Sequence, residues 1–245
     1  MRLVNAQAFP ELLASALRED AARPLVTFYD DATGERVELS VTSYANWVAK
    51  TSNLLQDEFD IGRGSLILVD LPTHWLGPVW LGASWSVGAE VTDDPALEGA
   101  ADVILTGPGS VDTYAGTASA AVVALSLRPL GAPFAEPLPP GVTDFAEVVP
   151  AQPDHFVSAD PPQAVDPAWR GGPAFGELVE EASGFLPGGG RLLTDLNPCS
   201  RAGLLTVVAP LLAGGGTAWV RNPSPERWAH HAETERIATT IRGQA

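Results

Sequence analysis

Residues Trp75 to Ala89 form the longest nearly charge-free apolar stretch of the chain, and they follow the run Ser65-Leu66-Ile67-Leu68-Val69. A helix that is apolar all round has to be covered on every side. The stretch is too short to span a bilayer, which takes about 20 residues, so it predicts a buried helix and not a membrane anchor. A short β-rich run followed by a buried helix is one turn of a layered α/β fold, and the pattern repeats. Val91, Val103-Ile104-Leu105 and Ala121 to Leu125 supply further short apolar runs. Near-continuous apolar strands alternating with helices predict an α/β fold with a mostly parallel sheet flanked by helices.

The rest of the chain fits that frame. Phe9, Leu12, Leu13, Ala16 and Leu17 recur at helical spacing over residues 8 to 20. Leu25 to Tyr29 and Val37-Glu38-Leu39 read as a hairpin turned at Gly34. Thr42 or Ser43 is placed to cap a helix running to about Phe59. Between Arg128 and Pro167 the prolines crowd, which excludes central elements and predicts a long connection holding one short strand near Phe145 to Val149. Beyond it come a helix from Phe175 to Ser183, a strand at Arg191 to Thr194, a helix from Ser200 to Leu212 and a strand at Thr217 to Val220. Ser224-Pro225-Glu226 is a helix start. The expected organisation is a single domain over 1–245, made of a first block (1–127), a proline-rich connection (128–167) and a second block (168–245).

Composition excludes several functions. Net charge is −16 and Lys50 is the sole lysine, so a basic footprint for nucleic acid is missing. The same acidity argues against anionic membrane surfaces. Cys199 stands alone, which rules out an intrachain disulfide. Met1 to Asn5 opens no long apolar stretch and acidic residues soon follow, unlike a signal peptide. The expected compartment is the cytoplasm.

Two sets of residues resemble a known family. Pro24 to Asp30, Gly34 to Ser40, Tyr44, Asn53-Leu54-Leu55, Ile61-Gly62-Arg63-Gly64-Ser65, Leu71-Pro72 and Gly88-Ala89 make the first. Arg191 to Leu196, Gly203-Leu204-Leu205, Pro210 to Thr217 and Glu233 to Thr240 make the second. In order and spacing they resemble the first half of the AMP-binding superfamily of acyl-CoA synthetases and other adenylate-forming enzymes, as a short, degenerate member. The resemblance implies ATP or AMP and CoA as the ligands to consider. It also implies a C-terminal hinge domain that residues 1–245 do not contain.

The residues of adenylation do not accompany the resemblance. Adenylate formation needs phosphate contacts and cations that stabilise developing charge. The family's hydroxyl-rich phosphate loop falls between Asp154 and Phe175, where this chain reads Asp166-Pro167-Ala168-Trp169-Arg170-Gly171-Gly172-Pro173. A glutamate-bearing metal motif is missing, and Lys50 sits inside a predicted helix. No catalytic residue and no metal ligand is assigned. Gly188-Gly189-Gly190 and Gly214-Gly215-Gly216 lead into strands, so they read as turns. His230-His231 reads as solvated helix surface, and Asp93-Asp94 as turn chemistry.

The one segment with a claim to ligand binding is Asp195-Leu196-Asn197-Pro198-Cys199-Ser200-Arg201, at the carboxyl end of a predicted parallel strand. Its candidate ligand-binding residues are Asp195, Asn197, Cys199, Ser200 and Arg201, with Asn197 or Ser200 as a helix cap the simpler role. Three functions stay open: a non-adenylating binding or assembly module, a residual nucleotide or acyl binder, and an enzyme of another class using this loop. A homodimer or protein partner is expected if a half-length family member leaves apolar surface to cover.

Overall fold

Every strand among the described residues finds its hydrogen-bonding neighbours in one of two five-stranded sheets. The computed structural model describes residues 7–186 and 190–243. Met1 to Asn5, Gly188 and Gly189 lie outside these residues. The elements run α1 (Phe9–Asp20), β1 (Pro24–Asp30), β2 (Glu35–Ser40), α2 (Val41–Asn53), β3 (Leu66–Asp70), α3 (Leu76–Val87), β4 (Glu90–Thr92), β5 (Val103–Thr106), α4 (Val111–Tyr114) and β6 (Ala121–Ala124). There follow β7 (Val142–Asp144), α5 (Phe145–Val148), α6 (Phe175–Ala182), β8 (Arg191–Thr194), α7 (Leu204–Ala213), β9 (Gly216–Arg221), α8 (Pro225–Thr234) and β10 (Ile237–Ile241).

The predicted parallel sheet is therefore two. One is ordered β10-β8-β9-β1-β2 and the other β4-β3-β5-β6-β7. All pairings are parallel except the β1–β2 hairpin, which turns at Gly34 with φ of 81°. Alternation along each strand assigns the faces. Val26, Phe28, Leu192 and Trp219 of the first sheet, and Ile67, Val69, Val103, Leu105 and Val123 of the second, enter one continuous core with residues of α1, α2, α3, α6 and α7. The opposite faces carry small satellite clusters: Tyr29, Leu193, Ala218 and Val220 against Trp228 of α8, and Leu68, Ile104 and Val122 against Tyr114.

The helix α3 occupies the middle, with every residue from Leu76 to Val87 buried. Its apolarity on all sides is the cost-free match to that position. Gly82 permits the close approach of neighbouring helices, since a Cβ there would lie 2.9 Å from Phe9 Cζ and 2.9 Å from Val48 Cγ2. Tyr44 of α2 donates to the Pro78 carbonyl at 2.9 Å, so the one polar atom it carries inward is satisfied.

Three boundaries differ from the sequence reading. Ser40, not Thr42 or Ser43, caps α2 by accepting from Ser43 N at 3.1 Å, and the helix continues into a wider turn over Leu54–Glu58. The strand of the proline-rich segment is Val142–Asp144; Phe145–Val148 is helical because the Asp144 side chain accepts from Ala146 N at 2.9 Å. The helix expected from Ser200 begins at Leu204, after turns described below. The connection itself is fastened to α2: Lys50 reaches the Gln152 carbonyl at 2.5 Å and Asp154 at 2.9 Å, and Asn53 donates to Pro153 and His155 carbonyls.

Candidate functional site

Parallel strands deliver their carboxyl ends, and the loops after them, to one edge of a sheet. In this molecule the carboxyl ends of β3, β5 and β6 in one sheet and of β9 in the other border a common cleft of about 650 Å³. Its walls are Asp70, Leu71 and Pro72 after β3, Gly107 to Ser110 after β5, Ser126 and Leu127 after β6, and Arg221 at the end of β9. The volume lies inside the ~300–1,000 Å³ range of small-molecule sites.

Arg221 is the cation of this cleft. Among the described residues no carboxylate pairs with its guanidinium within 4 Å, although most other arginines are engaged. Asp30, its in-register neighbour on β1, spends its Oδ1 on Asn222 Nδ2 at 2.8 Å and Ala32 N at 2.9 Å. Burial alone would raise the Asp30 carboxyl, but those bonds and the Arg221 charge hold it below its ordinary value. Across the cleft, Asp70 is solvent-exposed beside the Tyr114 hydroxyl, which burial and then the Asp70 charge push up. Ser110 Oγ meets Thr106 Oγ1 at 2.9 Å, while Ser126 is already used by the Ala132 carbonyl and Arg128 N.

His74, in the loop between β3 and α3, lies beneath this edge. It is 1% exposed, its Nδ1 accepts from Leu76 N at 3.3 Å, and its ring stands edge-on to Phe28 at 5.0 Å. Its Nε2 has no partner among the described residues. Burial, helped by the Arg221 charge, pushes its pKa down to about 3, so the imidazole is neutral.

The loop singled out by sequence has a different character. Asp195 receives Arg242 Nε at 2.7 Å and Gly243 N at 2.6 Å. Asn197 donates to the Leu71 carbonyl at 2.7 Å, bridging the two sheets' loops, and its Oδ1 accepts from Cys199 N at 3.0 Å. Ser200 accepts from Gly203 N at 3.2 Å and donates to the Asn197 carbonyl at 2.8 Å. Both side chains thus close turns before α7 and neither caps it, because α7 starts from Gly203 without a side-chain cap. Cys199 is buried against Gly77, where an added Cβ would stand 2.9 Å from its Sγ, and burial then Asp93 push the thiol up to about 12. A thiol so placed is not a nucleophile at neutral pH. Arg201 sits 3.7 Å from Glu181 on the surface. The five residues lie in one loop, yet Asp195, Asn197 and Ser200 spend their polar groups on the protein itself, Cys199 is buried, and Arg201 lies on the surface.

The segment standing where the resemblance puts a phosphate loop is tied down as well. Trp169 forms an isolated parallel bridge with Val91, and Arg170 N donates to the Val91 carbonyl at 2.9 Å. Ala168 N and Gly172 N donate to the Pro173 and Trp169 carbonyls, and Trp85 Nε1 donates to the Ala168 carbonyl at 3.0 Å. Arg170 pairs with Glu90 at 3.0 Å. A phosphate cradle presents free backbone N–H groups; here alternate ones are consumed, and the segment does not fit that task.

His231 is a correction to the sequence reading. It is buried, not solvated, with Nε2 2.8 Å from Asp31 Oδ1 and its ring stacked on Tyr29 at 3.9 Å. Beside it Glu235, also buried, accepts from Arg36 at 2.9 Å and from Tyr29, and pairs with Arg191. Trp228, His231 and Ala232 share a helical face at i, i+3, i+4 spacing, a signal that the flanking charged residues Glu226, Arg227 and Glu233 mask. Asp94 accepts from Ala96 N at 3.0 Å, which is turn chemistry. Among the described residues no group of three or more His, Cys, Asp or Glu could hold a metal ion, and no helix is long and apolar enough to cross a membrane.

Comparison with known proteins now adds to the geometry. A "TIGR03089 family protein" of Mycobacterium tuberculosis is 35% identical over 240 residues, covering 94% of this chain and 96% of that protein. The chain belongs to the TIGR03089 family. No protein-family model matches the sequence. Among solved structures, the fold is shared with an acetoacetyl-CoA synthetase from Streptomyces lividans (TM-score 0.78, 17% identity, 96% of this chain and 42% of that one). An acyl-CoA synthetase of Brucella canis (0.73, 16%, 94% and 47%) and a fatty acyl CoA synthetase of Mycobacterium tuberculosis (0.72, 14%, 95% and 48%) share it too. This TIGR03089 chain therefore has the α/β fold of acyl-CoA synthetases over less than half of their length.

Proposed function

We propose that this chain is a binding module on the adenylate-forming scaffold, one that does not itself form adenylates, and that its ligand is a small molecule held in the cleft between the carboxyl ends of the two sheets. The observation that carries the reading is Arg221, a cation without an ion-pair partner among the described residues, facing about 650 Å³ of cleft in a chain of net charge −16. A half-buried cation without a carboxylate partner attracts an anionic group locally, against the net charge of the rest of the chain. The tied-down Ala168–Gly172 segment and the sequence's lack of the hydroxyl-rich loop support the non-adenylating part.

ATP, AMP, CoA and an acyl-CoA, the ligands the family resemblance brings forward, are the first panel. A ligand that binds the folded state raises Tm with concentration by mass action, and replacing Arg221 by Met should remove that rise. A flat response to the panel and to small anions sinks the cleft; ATP–pyrophosphate exchange by the purified chain with a carboxylic acid sinks the non-adenylating part. Assembly is the second reading, favoured by β10. This edge strand reads Ile-Ala-Thr-Thr-Ile without a charge, and such edges invite pairing. Light scattering at graded concentration tests a homodimer, with a strict monomer as the contrary result. Large hydrophobic side chains are not the attraction: the exposed ones among the described residues are Val157 and Val165.

A further inference from the structure

The cleft carries two opposite charges on two different walls. Arg221 comes from the end of β9 in one sheet, and Asp70 from the end of β3 in the other. They do not pair with each other within 4 Å. Arg221 stands over Asp30, whose Oδ1 is committed to Asn222 and Ala32, and Asp70 stands beside Tyr114. The Gly107-Pro108-Gly109-Ser110 turn lines the same cleft, and its Ser110 Oγ shares one hydrogen bond with Thr106 and keeps capacity for another.

Resting on the cleft reading above, we propose that the cleft is selective for a small zwitterion, with its anionic end on Arg221 and its cationic end on Asp70. A simple anion would satisfy Arg221 and leave its own apolar body against the Asp70 carboxylate. A simple cation meets the reverse. A polyphosphate brings several negative charges to one guanidinium, with Asp70 across the cleft and the net charge of the whole chain opposing it. A dipolar molecule is the one class for which both walls contribute with the right sign. Discrimination of this kind comes as much from the repulsive wall as from the attractive one.

The test is isothermal titration of the full chain at low ionic strength. The zwitterions are γ-aminobutyrate and phosphocholine, and the single-charge and polyanionic controls are propionate, ethylammonium and ATP. The expected result is that a zwitterion binds at least tenfold more tightly than any control. Asp70→Asn should reduce that preference to near unity without abolishing propionate binding, and Arg221→Met should remove binding of both. Circular dichroism on each variant, with Arg221→Gln as a second substitution, separates loss of a contact from loss of fold. If propionate binds as well as γ-aminobutyrate and Asp70→Asn changes neither, the zwitterion proposal fails while the cleft stands. If ATP binds most tightly and needs Arg221, the proposal also fails. If no probe here and none of the nucleotide and CoA panel binds, both readings fall together.

Discussion

The Ala168–Gly172 segment and the rim around Arg221 face the same question with opposite answers. In the first, backbone donors at Ala168, Arg170 and Gly172 end on carbonyls, Arg170 ends on Glu90, and Trp169 is buried. In the second, the guanidinium of Arg221 and the carboxylate of Asp70 border open volume without pairing. Polar groups satisfied by their own chain are structural; polar groups directed at a cleft and left unpaired are available to a ligand. Where the resemblance puts a phosphate loop the chain carries packed and bonded groups, and the polar groups without ion-pair partners line the junction of the two sheets.

The comparison breaks most forcefully at Trp169. Trp169→Ala empties a buried position and should cost about 3–5 kcal/mol in urea unfolding; a loss below about 1 kcal/mol would mean that the segment is not locked. The next effect is on acid stability. His74 in the folded state holds its pKa at about 3, below the ~6.5 of a free imidazole. The unfolded chain therefore takes up a proton that the folded chain does not. This contribution is whole above pH ~6.5 and declines by up to ~1.4 kcal/mol per pH unit as pH falls toward the folded value. His74→Gln should flatten that part of the stability-versus-pH curve, and an unchanged acid limb would count against a buried neutral ring. Asn197→Ala removes the bond that joins the loops of the two sheets and should cost ~1–2 kcal/mol, read by thermal or chemical melting. Smallest of all on stability, Arg221→Met should stay within ~0.5 kcal/mol while it removes ligand-induced stabilisation. A large loss of fold there would make Arg221 structural and erase the contrast.

Much of the scaffold was legible because it depends on local chemistry. The burial of α3 followed from its lack of any polar face, the hairpin from Gly34, and the start of α8 from Ser224-Pro225-Glu226, where Ser224 accepts from Arg227 N at 3.2 Å. What escaped was decided at long range. Nothing local tells β1 and β2 that their sheet is completed by β8, β9 and β10 and not by β3 to β7. Residues 200–203 looked helical but form turns because Asn197 and Ser200 capture backbone donors first. Asp195 to Arg201 was found at the carboxyl end of a strand, as reasoned, yet which of its groups face inward is a property of Arg242, Leu71 and Gly77, distant in sequence. Arg221 left almost no trace in the sequence: an arginine closing an apolar strand is ordinary until the other sheet is placed opposite it.

The fastening of Lys50 to the Gln152 carbonyl and Asp154 has a practical corollary. The chain owns a single ε-amine, and with Asn53 it is one of the pins that hold the proline-rich stretch onto α2. An acylating reagent aimed at lysines would have one side-chain target, its reactivity lowered while the ammonium stays bonded to Asp154 and the Gln152 carbonyl. The rate of its labelling would then report on this one clasp, without a mutation or a dye elsewhere in the molecule.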